Sequence, residues 1–215
     1  MLHSDKYIQA LISEQPFFEI HQENVLGVKM DVFKNRPKSL VDFIESSAAH
    51  GDKPYLIFKD QVITFNQHLT LVKKAAHILQ TKYEVQQGDR VAIYAANSPE
   101  WIIFFWATVS LGAIACGLNG WWKGSEAIKA INDADPKVVV ADQARFERID
   151  ETLEHPVMIF EQYDLSAHEQ ALDSFIRVDE DECACLLYTS GTTGTPKGVM
   201  TSHRSMIANS TLQML

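Results

Sequence analysis

The chain has 215 residues, with 19 Lys and Arg against 28 Asp and Glu, so its formal net charge at pH 7 is −9. Such a balance argues against a nucleic-acid partner, because binding to a phosphate backbone requires clustered Lys and Arg. Hydrophobic residues make up 46% of the chain and charged residues 22%, which is typical of a globular protein with a sizeable core.

Helical and β patterns alternate along the chain from Ser39 onward, whereas residues 1–38 show little pattern and are predicted to be a lead-in. In the first half we predict a helix capped by Ser39 that ends near Gly51, a hairpin of strands 55–58 and 62–65, a helix with apolar positions at 69, 72, 76 and 79, a strand at 90–95, a helix at 99–111 and a strand at 114–118.

The same alternation continues in the second half. We predict a helix opened by Ser125, a strand at 137–141, a helix from Asp142 to about Leu153, a strand at 156–160, a loop at 161–173, a solvated acidic turn at 179–182, strands at 183–188 and 198–201, and a helix capped by Ser202. This order predicts an α/β fold whose sheet is mostly parallel with helices on both faces, in one incomplete domain over residues 39–215.

The uncharged segment from Trp101 to Trp122 raises the question of a membrane span. We predict instead a buried helix followed by a buried strand. Ser98-Pro99-Glu100 is a typical helix start, Gly112 a typical stop, and no Lys/Arg cluster flanks the segment. The N-terminus lacks the pattern of a signal peptide, and three cysteines provide no disulfide framework. We therefore expect a cytoplasmic protein, with peripheral membrane contact as the alternative.

Isolated histidines and tryptophans have ordinary interpretations. His68 and His77 fall on a predicted helix and are expected to be exposed or half-buried. His203, at a helix start, is more simply a helix-entry residue than a ligand contact. Trp121 and Trp122 are expected to serve packing or an interface rather than substrate stacking.

A loop dense in glycine and hydroxyl residues follows the strand predicted at 183–188. It reads Tyr-Thr-Ser-Gly-Thr-Thr-Gly-Thr-Pro-Lys-Gly-Val over residues 188–199. Glycines let the backbone approach a ligand, and N–H groups, small hydroxyls and a lysine can surround phosphate oxygens. The nucleotide loop G-x-x-x-x-G-K-[ST] does not fit, because Pro196 replaces its second glycine and Gly198 follows Lys197. A plain turn between two strands is the alternative.

This loop resembles the phosphate-binding signature of the adenylate-forming (AMP-binding) enzymes, which include acyl-CoA synthetases, luciferases and the adenylation domains of peptide synthetases. All its fixed positions match over twelve consecutive residues. The sequence Asn-Ser-Pro-Glu at 97–100 is a weaker likeness. The resemblance covers roughly residues 39–215 and implies an N-terminal domain that is truncated after the signature.

The resemblance implies that a parent protein activates a carboxylic acid with ATP and Mg²⁺ and passes the acyl group to coenzyme A. It implies that these residues form part of the phosphate site: Thr189, Ser190, Gly191, Thr192, Thr193, Gly194 and Lys197. The family's adenine, ribose and catalytic-lysine motifs lie downstream, so no catalytic residue and no metal ligand is assigned here.

The chain alone is therefore expected to be inactive, and its expected partners are ATP, the acid and the missing C-terminal part of the same polypeptide. A fatty or other hydrophobic acid is the expected substrate, on family frequency alone. Two alternatives stay open: a non-catalytic nucleotide-binding remnant, and an adenylation domain that loads a carrier protein.

Overall fold

The computed structural model describes residue 10, residues 15–189 and residues 197–214. Its strands are β1 (Ile20–Val25), β2 (Val28–Phe33), β3 (Pro54–Phe58), β4 (Gln61–Thr64), β5 (Arg90–Tyr94), β6 (Ile114–Gly117), β7 (Val138–Ala141), β8 (Val157–Ile159), β9 (Cys183–Thr189) and β10 (Lys197–Ser202). Its α-helices are α1 (Leu40–Ser46), α2 (Phe65–Lys82), α3 (Pro99–Ser110), α4 (Gly124–Ala134), α5 (Gln143–Phe146) and α6 (His203–Leu212). Short 3₁₀ turns lie at Pro16–Phe18, Ser47–His50 and Phe160–Gln162.

The central sheet has six strands in the order β10-β9-β6-β5-β7-β8. Strand β5 pairs in parallel with both β6 and β7, β6 pairs in parallel with β9, and β7 pairs in parallel with β8. Only β10 runs against its neighbour in this sheet, as the second arm of a hairpin with β9. The predicted α/β class with a mostly parallel sheet is confirmed.

Both faces of the sheet are covered by helices. On β5, Val91 and Ile93 pack into a core with residues of α1, α2 and α3. The alternating residues Ala92 and Tyr94 pack into a second core with α4. Because successive strand residues point to opposite faces, this division shows a sheet buried on both sides. The four valine and alanine residues of β7 are all buried for the same reason.

The uncharged segment is a helix followed by a strand, as predicted. The Ser98 hydroxyl accepts a hydrogen bond from the Trp101 amide and Pro99 occupies the first helical turn. Gly112, with a φ of 67°, then reverses the chain into β6. Helix α3 has 12 residues. Within the described residues, no helix combines the length and the apolar character that crossing a bilayer demands.

Three predicted boundaries are wrong. Phe65 begins α2, because Thr64 and Gln67 form a capping box there and end the strand. The cap of α4 is Lys123 rather than Ser125. Helix α5 stops at Phe146 instead of reaching Leu153.

The short α5 has a tertiary cause. A Cβ atom on Gly124 would lie 1.9 Å from the Arg148 carbonyl oxygen. The chain after α5 therefore packs directly against the start of α4, and this contact diverts it from the helical path that its local sequence favours.

The N-terminal segment contains a hairpin that the sequence analysis did not predict. Strands β1 and β2 pair in register around Leu26-Gly27, whose φ values of 47° and 87° are those of a type I′ turn. The division between residues 1–38 and 39–215 stays a prediction.

An ion cluster holds this hairpin to the rest of the molecule. Arg36, 6% exposed, donates to both carboxylate oxygens of Glu180 at 2.7–2.8 Å and to Glu23 at 2.7 Å. Arg204 contacts the same two carboxylates. The acidic turn was expected to be solvated; this is wrong for Glu180, whose side chain is only 12% exposed because the two guanidinium groups cover it.

Candidate functional site

The signature loop joins the two strands of the β9–β10 hairpin. Thr189 and Lys197 are direct partners in the antiparallel ladder, and both are exposed. The other predicted phosphate-site residues, Ser190, Gly191, Thr192, Thr193 and Gly194, lie outside the described residues. The structure therefore positions the two ends of the predicted loop, at the carboxyl end of β9.

A cleft of about 490 Å³ lies at the same edge of the sheet. Its walls are the segment 95–97 after β5, the segment 117–121 that ends β6 and follows it, the end of β9 at Leu187 and Tyr188, and Arg145. The sheet order reverses beside β5, since the chain places β6 on one side of it and β7 on the other. Ligands of open α/β sheets bind outside the carboxyl ends of the strands at such a reversal.

The loop after β6 forms one wall of the cleft and is fixed by three side chains. The Tyr94 hydroxyl donates to the Trp122 carbonyl at 2.9 Å. Arg145 Nε and Arg148 Nη1 donate to the Gly120 carbonyl at 3.2 and 2.9 Å. A Cβ atom at Gly120 would lie 2.7 Å from the Ala95 carbonyl oxygen, so this close approach requires glycine. The wall is thus locked to the end of β5.

The two adjacent tryptophans have different environments. Trp122 is 9% exposed and meets the Tyr188 ring edge to face at 6.3 Å, which confirms packing for this residue. Trp121 is 86% exposed at the rim of the cleft, so it does not pack within the described chain, and its service at an interface stays a prediction. Tyr188 also donates to Asp133 at 2.8 Å, and burial together with this carboxylate raises the pKa of its hydroxyl. Tyr188 is therefore a packed, neutral wall residue.

Arg145 is the cleft residue that sequence reasoning missed. It lies on α5, pairs with Asp142 at 3.4 Å, and its side chain is 17% exposed. Asp142 in turn accepts hydrogen bonds from the Arg145 and Ala96 amides, both at 2.7 Å. Since this carboxylate offsets its charge, the guanidinium is a positioned donor rather than a free cation. A single arginine on a short helix carries no sequence motif that could have revealed this placement.

His203 follows β10 but is turned into the protein. It is 1% exposed, and its Nδ1 accepts the amide hydrogen of Leu40 at 3.1 Å at the start of α1. Burial lowers the pKa of its imidazole, which favours the neutral form that can accept this bond. The structure therefore fits the interpretation of His203 as a helix-entry residue. Its hydrogen bond also joins the start of α6 to the start of α1.

The described residues fit an anion better than a metal ion at this edge. Thr189 and Lys197 offer a hydroxyl and an ammonium group next to the cleft, whose wall includes the Arg145 guanidinium that is paired with Asp142. Within the described ranges, no group of three or more His, Cys, Asp or Glu side chains is arranged to hold a metal ion.

Comparison of the chain with known proteins identifies its family. The family model described as "AMP-binding enzyme" matches residues 43–214. 4-Coumarate–CoA ligase 2 of Petroselinum crispum is 28% identical over 179 residues, which cover 77% of this chain and 32% of the ligase. Long-chain-fatty-acid–CoA ligase of Bacillus subtilis is 27% identical over 212 residues, covering 80% and 38% of the two chains.

The fold has solved counterparts. NpsA-ThdA, an artificially fused Adenylation-PCP di-domain of Klebsiella oxytoca, superposes with a TM-score of 0.70 at 24% identity, over 80% of this chain and 34% of that one. The matched part of this chain thus spans about a third of the length of each of these three proteins.

Proposed function

The chain belongs to the AMP-binding enzyme family, and we propose that it forms the phosphate-binding part of an enzyme that activates a carboxylic acid with ATP. The observation that carries this proposal is the signature-bearing hairpin beside the cleft, with Thr189 opposite Lys197. Hydroxyl and ammonium donors at a strand end, followed by a glycine-rich loop, suit the oxygens of a polyphosphate.

ATP, when bound, supplies the α-phosphorus that the carboxylate attacks and the pyrophosphate that leaves. In our proposal Lys197 donates to the β- and γ-phosphate oxygens, and Thr189, Ser190, Thr192 and Thr193 supply hydroxyl donors. Gly191 and Gly194 let the backbone approach, and Pro196 restricts φ next to Lys197. Donors placed where charge grows stabilise the transition state more than the ground state. Any Mg²⁺ would be held largely by phosphate oxygens.

The acid and the acceptor are finer proposals. We propose a hydrophobic acid, fatty or aromatic; two relatives that support this are a 4-coumarate–CoA ligase and a long-chain-fatty-acid–CoA ligase. We propose the thiol of coenzyme A as acceptor and the cytoplasm as location. Loading of a carrier protein is the second candidate, and the similarity to an Adenylation-PCP di-domain favours it equally.

We propose further that these 215 residues alone do not catalyse adenylation, because the match covers only 32% of the length of the 4-coumarate–CoA ligase. The test is ATP–pyrophosphate exchange with a panel of fatty, aromatic and amino acids. We expect no acid-dependent exchange from the chain alone, and exchange from a polypeptide that also carries the segments found in its relatives. Robust exchange by the chain alone would contradict the first expectation. Absence of exchange from the longer polypeptide with every acid would favour a non-catalytic remnant.

Acyl transfer to coenzyme A or to a carrier protein in the same preparation separates the two acceptors. Formation of an acyl-CoA thioester supports the first candidate. An acylated carrier protein without acyl-CoA supports the second.

A further inference from the structure

A long segment without helices or strands crosses over α2. It covers residues 163–178, between the 3₁₀ turn that ends at Gln162 and the acidic turn before β9, and we call it the strap. Connecting segments of this length without regular structure are uncommon in compact domains and are usually functional or disordered. The strap is well packed, because Leu165, Leu172 and Phe175 are each 7–8% exposed and join the core of α1, α2 and α3.

Two polar contacts fasten the strap to successive turns of α2. The Lys74 ammonium donates to the Ser166 carbonyl at 2.8 Å. The Leu172 amide donates to the Lys73 carbonyl at 3.0 Å. These contacts bracket the middle of the strap, residues 167–171.

His77 of α2 meets His168 of the strap within this bracketed stretch. His77 Nδ1 and His168 Nε2 are 3.2 Å apart, and both rings are half-buried. The sequence predicted exposed or half-buried positions for His68 and His77. This is confirmed for His77 but wrong for His68, which is 2% exposed. Of the two facing nitrogens, one carries the hydrogen and the other accepts it.

A hydrogen bond between two imidazoles depends on how many protons the pair carries. With both rings neutral, the N–H of one donates to the bare nitrogen of the other. One added proton strengthens the bond, because the donor ring becomes charged. A second added proton leaves two N–H donors of like charge facing one another, so the bond is lost. Interacting groups take up their protons in separate steps, and imidazoles do so between about pH 5 and 8.

The surroundings of the pair do not offset a second positive charge. The charged side chains on the elements that meet here are Lys73, Lys74 and Lys82 on α2, Glu100 at the start of α3, and Asp164, Glu169 and Asp173 on the strap. Asp164 accepts hydrogen bonds from the amide and hydroxyl of Ser166. Within the described residues, the ion pairs that involve a histidine are those of His21 and His155. The two lysines one helical turn before His77 add to the repulsion.

The strap also forms part of the wall of a second cavity, of about 580 Å³, beside α3 and α5. Tyr163, Leu165 and Ser166 line this cavity from the strap. Arg145 lines it from α5 and also lines the cleft at the end of β9. A displacement of the strap at Ser166 therefore changes the shape of a cavity that adjoins the cleft.

We propose that the His77–His168 hydrogen bond is a proton-sensitive latch, which holds the middle of the strap on α2 near neutral pH and releases it when both imidazoles are protonated. The release stays local, because the buried side chains of Leu165 and Phe175 hold the strap on either side of it. The latch does not depend on the proposed adenylation chemistry.

The test is amide hydrogen exchange of the 215-residue chain, measured by NMR between about pH 7.5 and 5.0 and corrected for the intrinsic exchange rate. The reporter is the Leu172 amide, whose hydrogen bond to the Lys73 carbonyl adjoins the released stretch. The internal reference is the Ile176 amide, which donates to the Ser110 carbonyl of α3 at 2.9 Å. We expect the opening of Leu172 relative to that of Ile176 to rise at least about tenfold as the pH falls from about 6.5 to 5.0, because a hydrogen bond to a charged group is lost.

Two variants show whether the latch causes this rise. His168→Gln keeps a side chain that can donate to or accept from His77 but gains no charge in acid, so the rise should disappear. The matched control is His50→Gln, since His50 is an exposed histidine at the end of a 3₁₀ turn, and the rise should remain. A rise that survives in His168→Gln, or that is lost in His50→Gln, would overturn the proposal. So would a wild-type chain in which the ratio of Leu172 to Ile176 opening is the same at both ends of the pH range.

Discussion

Replacement of Arg36 by alanine tests the ion cluster that joins the N-terminal hairpin to the domain. The Arg36 side chain is 1% exposed and donates to Glu180, to Glu23 and, at 2.6 Å, to the Phe33 carbonyl. Removing one partner of a buried ion pair costs about 3–5 kcal/mol, because the remaining charge is left uncompensated. Arg204 still contacts both carboxylates in the variant, and Glu23 is 27% exposed.

We therefore expect the lower end of that range, about 3 kcal/mol. For a chain of this size, this corresponds to a fall in Tm of about 6–12 °C. The matched control is Arg177→Ala, since Arg177 pairs with Asp42 and Glu45 but is 57% exposed. An exposed pair is worth about 1 kcal/mol or less.

Calorimetry and urea unfolding of both variants provide the stability measurements. Limited proteolysis provides a local one, because detachment of the β1–β2 hairpin should loosen its strands and make their backbone more susceptible to cleavage than in the wild-type chain. If Arg36→Ala lost no more stability than Arg177→Ala, and the hairpin stayed protected, the reasoning about the cluster would be wrong.

Three further predictions concern pH and packing. Arg36 lowers the pKa of the Glu23 carboxyl from 4.5 to about 2. The stability that Glu23 contributes is therefore present above pH 4.5 and is lost as the pH falls toward 2. Glu23→Gln should reduce this loss when the free energy of unfolding is measured against pH. Burial lowers the pKa of the His68 imidazole from 6.5 to about 4. Between these two pH values the unfolded chain binds a proton that the folded chain does not, so the free energy of unfolding falls as the pH is lowered from 6.5 to 4. His68→Phe should flatten the dependence of stability on pH in this range, and an unchanged slope would contradict the prediction. Gly124→Ala should lower the free energy of unfolding by about 1–3 kcal/mol, because the new methyl group meets the Arg148 carbonyl oxygen. The control Ser125→Ala changes the adjacent, exposed residue and should be nearly neutral. Equal Tm values for the two variants would refute the clash.

The elements that the sequence predicted well carry local signals. Ser98-Pro99 and Ser39 are side-chain caps that act within one turn of their own helices. The two strands at 183–188 and 198–201 follow from apolar and β-branched residues on either side of a glycine-rich segment. These features depend on neighbours in sequence, and residue patterns report such neighbours.

The features that were missed depend on distant contacts or on unusual turn residues. Arg36 and Glu180 are 144 positions apart, so no local pattern could pair them. The β1–β2 turn has Leu26 at φ 47°, a position that Asn or Gly usually occupies, and the Asn-Gly signal is therefore absent. Arg145 is held beside the cleft by Asp142 and by the Gly120 carbonyl, and Gly120 lies 25 positions away in the chain.

The central claim is that the hairpin loop acts on the phosphates in the transition state of adenylation. Single-turnover adenylate formation, measured in a polypeptide that carries the segments found in its relatives, tests it most directly. The variants to compare are Lys197→Ala and Thr193→Ala, with Lys129→Ala as the control, since Lys129 is an exposed lysine on α4.

We expect Lys197→Ala and Thr193→Ala to lower kcat by at least about tenfold, with a smaller change in KM for ATP, because a donor that acts on the growing charge contributes up to about 2.7–4 kcal/mol. Lys129→Ala should keep the wild-type kcat. Wild-type kcat values in the two loop variants, with only a raised KM, would contradict the claim and reduce the loop to a ground-state binding element.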